Sequence, residues 1–372
     1  MTISVSTSAA EAAARPTTKP SPFAEFLLVG GATLFLYPLS FAIRTTLGLD
    51  ASELAIGFLA FHAAFVINDP HFTVTYLLFY KRNVARAQPV RWTIAGVIVP
   101  IALAAWAIAA LAMRSAQTLG WMVQVMYLLV GWHYAKQGFG ALTVLSARAG
   151  VFLTARERLA FLANAYAGWA FAWANPAMPS GEFEEKGVVY WALAHPRWFE
   201  IVCGAAFAIS SAALAGVLVA RARRGEKGIP KAPLVGFLVT IWAWTIFSSA
   251  DPLIRYIIPA LHSVQYFYFV WLLRRNEALS EEGPPLFGRP VRTRLGILAI
   301  SAIALSVLLF HALPSFFDAA VTPRWHVKGV EGPMGETPFL AAFYVFLNVH
   351  HYFMDFVVWR RENPDTRFLR AL

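Results

Sequence analysis

The feature that most constrains this chain is a series of ten apolar runs, at about 24–44, 53–80, 92–113, 119–147, 158–176, 198–220, 233–250, 252–273, 294–312 and 337–359. At 1.5 Å per residue each is long enough, as a helix, to cross a hydrocarbon core of roughly 30 Å. The segments between them are too short to hold a soluble domain. Composition agrees, with 58% hydrophobic and 14% charged residues, where soluble domains average roughly 45–50% and about 25%. The expected fold is all-α, a polytopic membrane helix bundle of about ten transmembrane helices over residues 23–361. It is flanked by a disordered tail at 1–22, rich in Ser, Thr, Ala and Pro, and a short tail at 362–372.

The formal charge of +10 is accounted for by topology. With the N-terminus inside, 23 of the 31 Lys and Arg residues fall in inner segments, 6 in outer segments and 2, Lys136 and Arg255, within spans. That asymmetry is the positive-inside pattern. It puts both termini in the cytoplasm and the protein in the inner (cytoplasmic) membrane, and no nucleic-acid partner is needed to explain the basic residues. The single cysteine, Cys203, lies in an apolar run and has no partner for a disulfide or a thiolate metal site.

Two breaks stand out. Pro70, in the sequence Asn68-Asp69-Pro70-His71, removes a backbone donor and should kink or locally unwind the second run. Asp251 and Pro252 divide the seventh and eighth runs, with Asp251 placed to cap the next helix. The larger outer loops, 177–197 with Glu182, Glu184 and Glu185 and 313–336 with Trp325 and His326, are placed to cap the outer face and contain nothing that resembles a site.

Chemistry is expected among the histidines. Six of nine, His62, His71, His133, His262, His350 and His351, lie within spans two, four, eight and ten. All four spans run from outside to inside, so residue offset reads as depth. His62, His133, His262, His350 and His351 fall at roughly 13–21 Å, near one level, with His71, Asp69, Lys136, Gln137 and Asp355 a turn or two deeper. Ionisable groups at such depth are costly, and they usually face the bundle interior and serve function.

Helical phase supports a shared inner face. Asp69, Thr73 and Tyr76 lie within about 40° of His62 in direction. Asn348, His351 and Asp355 form one stripe, His133 and Gln137 are four apart, and His262 is followed by Gln265 and Tyr266. The recurring form is a histidine with an amide, carboxylate or phenol one turn on, as metal-bound imidazoles require to fix tautomer and orientation. His350 and His351 point about 100° apart, so one ligates while the other supports. Imidazoles with one or two carboxylates and no thiolate suit Fe, Zn or Cu. Iron, mono- or dinuclear, is the first choice and zinc the alternative, with His62, His71, His133, His262, His350 and His351 as candidate ligands, Lys136, Gln137, Gln265, Tyr266 and Asn348 as supporting or substrate-facing groups, and Asp69, Tyr76 and Asp355 as proton-transfer groups.

This arrangement, carried by His62, His133, His262 and His350/His351, resembles that of membrane iron oxygenases whose ligands come from several helices, especially the bacterial carotene dioxygenases of the Brp/Blh type. The resemblance implies one iron held by intramembrane histidines and a substrate that enters from the bilayer. The spaced histidine boxes of fatty-acid desaturases and alkane hydroxylases are missing from the sequence. The leading expectation is an oxygen-dependent oxidase, hydroxylase or cleaving dioxygenase acting on a lipid or isoprenoid, a hydroxylase also drawing on an electron donor. Competing readings are an intramembrane zinc hydrolase, a haem b protein with two axial histidines, and a transporter whose polar residues line a proton or substrate path.

Overall fold

The computed structural model describes residues 21–174, 181–248, 251–281, 290–325 and 334–369. The tail at 1–20, His326 and residues 370–372 lie outside the described residues. The main helices are α1 (Pro22–Gly31), α2 (Thr33–Leu47), α3 (Leu49–Phe79), α4 (Pro89–Ala112), α5 (Ala116–Arg148) and α6 (Ala155–Ala174). They continue with α7 (Arg197–Arg223), α8 (Lys231–Ile246), α9 (Pro252–Glu281), α10 (Val291–Trp325) and α11 (Pro338–Val358). Of the described residues, 84% are helical. A two-stranded hairpin, β1 (Glu182–Glu185) and β2 (Val188–Trp191), stands where the sequence reads as a featureless loop.

Among the described residues five helices, α3, α4, α7, α9 and α10, are each long and apolar enough to cross a membrane; the count is six if α1 and α2, bent by 63°, form one span. The chain is a multi-pass membrane protein. The other long helices, α5, α6 and α11, fall short of that apolarity because they carry polar side chains such as Gln124, Asn164, Asn348 and Asp355 on buried faces. Large apolar side chains including Leu54, Phe58, Ile108, Ile209 and Ile300 point outward, as a lipid-facing surface requires.

Prolines shape three of the helices by one mechanism. A proline lacks an N–H and crowds the carbonyl four residues back. Pro70, Pro100 and Pro314 are each preceded by a π-helical turn, at Ala64–Asn68, Ile94–Ile98 and Val307–Ala312, and each turn contains the crowded residue. The widened turn leaves carbonyls for other donors. Tyr80 Oη donates to Gly96 O at 3.0 Å, and the His350 ring nitrogen Nε2 sits 3.0 Å from Ala95 O. The break expected at Pro70 is thus a π turn, not an unwound segment.

The end contacts show that α3, α5, α9 and α11 run in one direction. At their N-terminal ends Tyr256 Oη donates to Glu53 at 2.8 Å, Thr337 Oγ1 donates to Lys186 O at 2.8 Å, and Tyr127 bonds Glu185 of the hairpin. At their C-terminal ends Lys81 bridges Glu277 (3.3 Å) and Asp365 (2.9 Å). Asp251 caps α9 as expected, accepting from the N–H groups of Leu253 and Ile254 at 3.0 and 3.2 Å.

Two sequence expectations about the periphery change. Residues 313–325 continue α10 as helix. Within the C-terminal tail, Pro364–Leu369 form a 3₁₀ helix that buries Phe368 and Leu369 against α9, with Asn276 Nδ2 donating to Phe368 O at 2.7 Å.

The hairpin turn, Lys186-Gly187, has positive φ at both central residues, 50° and 78°, the backbone of a two-residue turn matched to strand twist. Gly187 is needed there, since a Cβ would also lie 2.6 Å from Thr337 Oγ1. The hairpin presses onto α5 at Gly120, where a Cβ would stand 2.3 Å from the Tyr190 side chain.

Candidate metal centre

Four parallel helices each deliver one histidine to a common point: His71 from α3, His133 from α5, His262 from α9 and His351 from α11. All are at most 3% exposed. Ring centroids of neighbouring pairs lie 4.5 Å (His71 and His351) to 4.9 Å apart, with His71 and His133 across the group at 6.3 Å. The Nε2 atoms of His133 and His262 are 3.1 Å apart. Two nitrogens on one tetrahedral ion at 2.0–2.1 Å stand about 3.4 Å apart, so this pair is already near ligand spacing.

Asp355, one turn beyond His351, completes the set. Its Oδ2 lies 3.4 Å from His351 Nε2 and 3.8 Å from His133 Nδ1. Two groups of three donors, His71/His133/His262 and His133/His351/Asp355, each keep their ligand atoms within 4.8 Å of one another. They share His133.

Beneath the histidines is a second polar layer. Tyr266 Oη donates to Asp355 Oδ1 at 2.7 Å and lies 2.5 Å from Thr75 Oγ1, which reaches the same carboxylate oxygen at 3.3 Å. Gln137 Nε2 donates to Gln265 Oε1 (2.8 Å) and His262 O (3.2 Å), and Gln265 Nε2 donates to Val29 O (2.6 Å). This layer fixes Asp355 from the side facing away from the imidazoles.

Several buried ring nitrogens have no hydrogen-bond partner among the described residues: Nε2 of His71, Nδ1 of His262 and both nitrogens of His351. A buried polar atom left unpaired costs about 1–3 kcal/mol, and native proteins rarely tolerate it. Four imidazoles, three of them with orphaned nitrogens, gathered beside a carboxylate fit a bound cation. With nitrogen and oxygen donors and no thiolate among them, the residues suit Fe, Zn or Cu.

The structure does not bring every sequence candidate here. His62 is exposed and its Nδ1 lies 2.8 Å from Phe58 O of its own helix. His62 and His71 are nine residues apart, half a revolution in phase, and the π turn between them shifts the register further. The side of α3 turned to the cluster is the one opposite to that counted from His62, although Asp69 and Thr73 on the other side are buried as well. The residues counted with His62 also point elsewhere: Asp69 lies 2.7 Å from His311 Nε2, and Tyr76 Oη lies 2.9 Å from His350 Nδ1. Both nitrogens of His350 are occupied, by Tyr76 and Ala95 O, so it supports the bundle and lies off the cluster. Lys136 packs over the rings of Tyr166 and Phe356 at 5.4 and 5.5 Å. Asn348 donates to Tyr344 O and accepts from Tyr352.

Thr75 and His311 were not singled out by the sequence. A signal for Thr75 was available. Each clustered histidine has a hydrogen-bonding residue four positions on, namely Thr75, Gln137, Tyr266 and Asp355, whereas His62 and His350 are followed by Val66 and Met354.

A cavity of about 550 Å³ connects the cluster to the hairpin. His71, His262 and Asn68 line its deep end, Tyr134, Trp244 and Phe72 its walls, and Glu185, Lys186 and Arg255 its other end. The hairpin and the residues after it, 181–195, thus roof the approach to the cluster. Comparison with protein-family models, curated proteins and solved structures returned no match.

Proposed function

We propose that this protein is an intramembrane iron oxygenase, hydroxylase or oxidase acting on a lipid or isoprenoid substrate. The observation that carries this reading is the buried set of His71, His133, His262, His351 and Asp355 with unpartnered ring nitrogens. His71, His133, His262 and His351 hold the ion, and Asp355 orients His133 and His351 from the layer fixed by Tyr266 and Thr75. Iron bound there supplies oxygen activation. The chain supplies exclusion of bulk water, an apolar-walled seat for the substrate, and a carboxylate able to hold a proton beside His351. The likeness in kind to the Brp/Blh carotene dioxygenases belongs to this proposal.

Ten crossings, with both termini cytoplasmic in the inner membrane, fit the same reading. Counting α1 with α2 as one span, the cluster helices are the second, fourth, eighth and tenth crossings, and their common direction is what an even spacing demands. The 23 to 6 division of basic residues orients them.

The test is metal analysis and absorption spectroscopy on detergent-purified wild type, a His133→Ala variant and a His62→Ala control. Iron at about one or two per chain, lost in His133→Ala, kept in His62→Ala and without a haem band, supports the proposal and settles nuclearity. Zinc in its place turns the site into a hydrolase centre. Absence of metal from a folded wild type overturns it and leaves a polar path suited to transport.

A further inference from the structure

The cavity carries information about the substrate that the metal cluster alone does not. Its hairpin end bears two cations among the described residues that pair with no carboxylate, Lys186 and Arg255. Glu185, the acid beside them, is engaged by Tyr127. Burial holds His195, which also lines this end, below the usual imidazole range, so at neutral pH the basic charge facing the opening belongs to Lys186 and Arg255.

Lys186 is held there by backbone geometry. Its φ of 50° at the hairpin turn is uncommon for a residue with a long side chain, and such conformations persist where surrounding structure imposes them. The turn is tied to α11 through Thr337, and the Lys186 ammonium rests 4.8 Å from the centre of the Tyr344 ring. An asparagine or glycine would relieve the turn. A lysine at this position places charge over the opening.

Three helices measure the distance from this end to the histidines independently. Tyr127 precedes His133 by six residues on α5, Arg255 precedes His262 by seven on α9, and Tyr344 precedes His351 by seven on α11. At 1.5 Å per residue these give about 9–10.5 Å. Between lie apolar and aromatic walls, including Val130, Trp244, Ile258 and Phe72.

We infer that the cavity binds an anionic amphiphile, its carboxylate or phosphate head between Lys186 and Arg255 and its hydrocarbon chain directed to His71 and His262. This deepens the proposed function and rests on it for the chemistry. It also sets the position of reaction: the oxidised carbon lies about 10 Å from the head, inside the chain and away from the polar end.

The test is competition binding to the protein in nanodiscs with three probes of one chain length, oleate, oleyl phosphate and oleyl alcohol. Wild type should bind at least one of the two anions tenfold or more tightly over the alcohol. A Lys186→Gln/Arg255→Gln double variant should bind all three within about twofold, with its metal content unchanged. A stronger preference for oleate identifies a fatty-acid head, and one for oleyl phosphate a lipid phosphate. Equal binding of alcohol and anions by wild type, or an anion preference that survives in the double variant, overturns the inference. Metal content on the same preparations separates the two claims. Anion preference without metal removes the metal reading and leaves the head site standing, whereas metal without anion preference does the reverse.

Discussion

His350 and His351 are adjacent on α11, equally buried and chemically identical, yet they serve different regions. His350 faces α3 and α4, where Tyr76 Oη and Ala95 O occupy its two nitrogens. His351 faces the bundle axis, where neither nitrogen has a hydrogen-bond partner and the Asp355 carboxylate lies 3.4 Å away. The same division runs along α3. Asp69 and Tyr76 satisfy histidines of other helices, while His71 and Thr75 turn to the centre. A buried imidazole with two bonded nitrogens is a structural cross-link. One with orphaned nitrogens among three others is suited to hold a cation.

Substitutions break or sharpen this comparison. The largest effect is expected for His351→Ala and His133→Ala, which lower metal affinity by more than about 100-fold, since losing an outer partner alone costs 10–100-fold. Elemental analysis after dialysis against a chelator checks this. Asp355→Asn should weaken metal retention by about 10–100-fold while keeping the fold, because the amide fills the same space between Tyr266 and the histidines. His350→Ala should leave metal content unchanged and lower stability by about 1–3 kcal/mol, read as a drop in thermal midpoint in detergent. Metal loss in that variant would erase the distinction between the neighbours. Tyr76→Phe removes one bond to the same ring and should cost about 1 kcal/mol. His62→Ala, on an exposed side chain, should change neither property, with stability within about 0.5 kcal/mol.

Much of the centre was legible because depth on a membrane helix is a count of residues. The four contributing helices, and His133, His262, His351 and Asp355 on them, follow from offset and polarity. His71, a ligand candidate counted a turn or two deeper than the other histidines, comes within 4.5–6.3 Å of His133, His262 and His351, ring centre to ring centre. The π turn at Ala64–Asn68 and the rotation of α3 against its neighbours selected His71 and excluded His62. Spacing to a polar residue four positions on separates the clustered histidines from the other two more sharply than depth does. The hairpin was illegible as a site element because its role depends on what lies below it: Lys186 in a loop is one more outer charge until Tyr344 and the cavity are beneath it.

The sequence by itself determined that this chain is helical, apolar enough for lipid, and supplied with ionisable groups that must face inward, since hydrocarbon leaves them no other favourable place. Only the tertiary structure decided which of those groups meet. A one-residue step turns a side chain by about 100°, so whether an imidazole reaches Ala95 O or a ring of three other imidazoles depends on how its helix is rotated against its neighbours. That rotation is set by packing across helices distant in sequence.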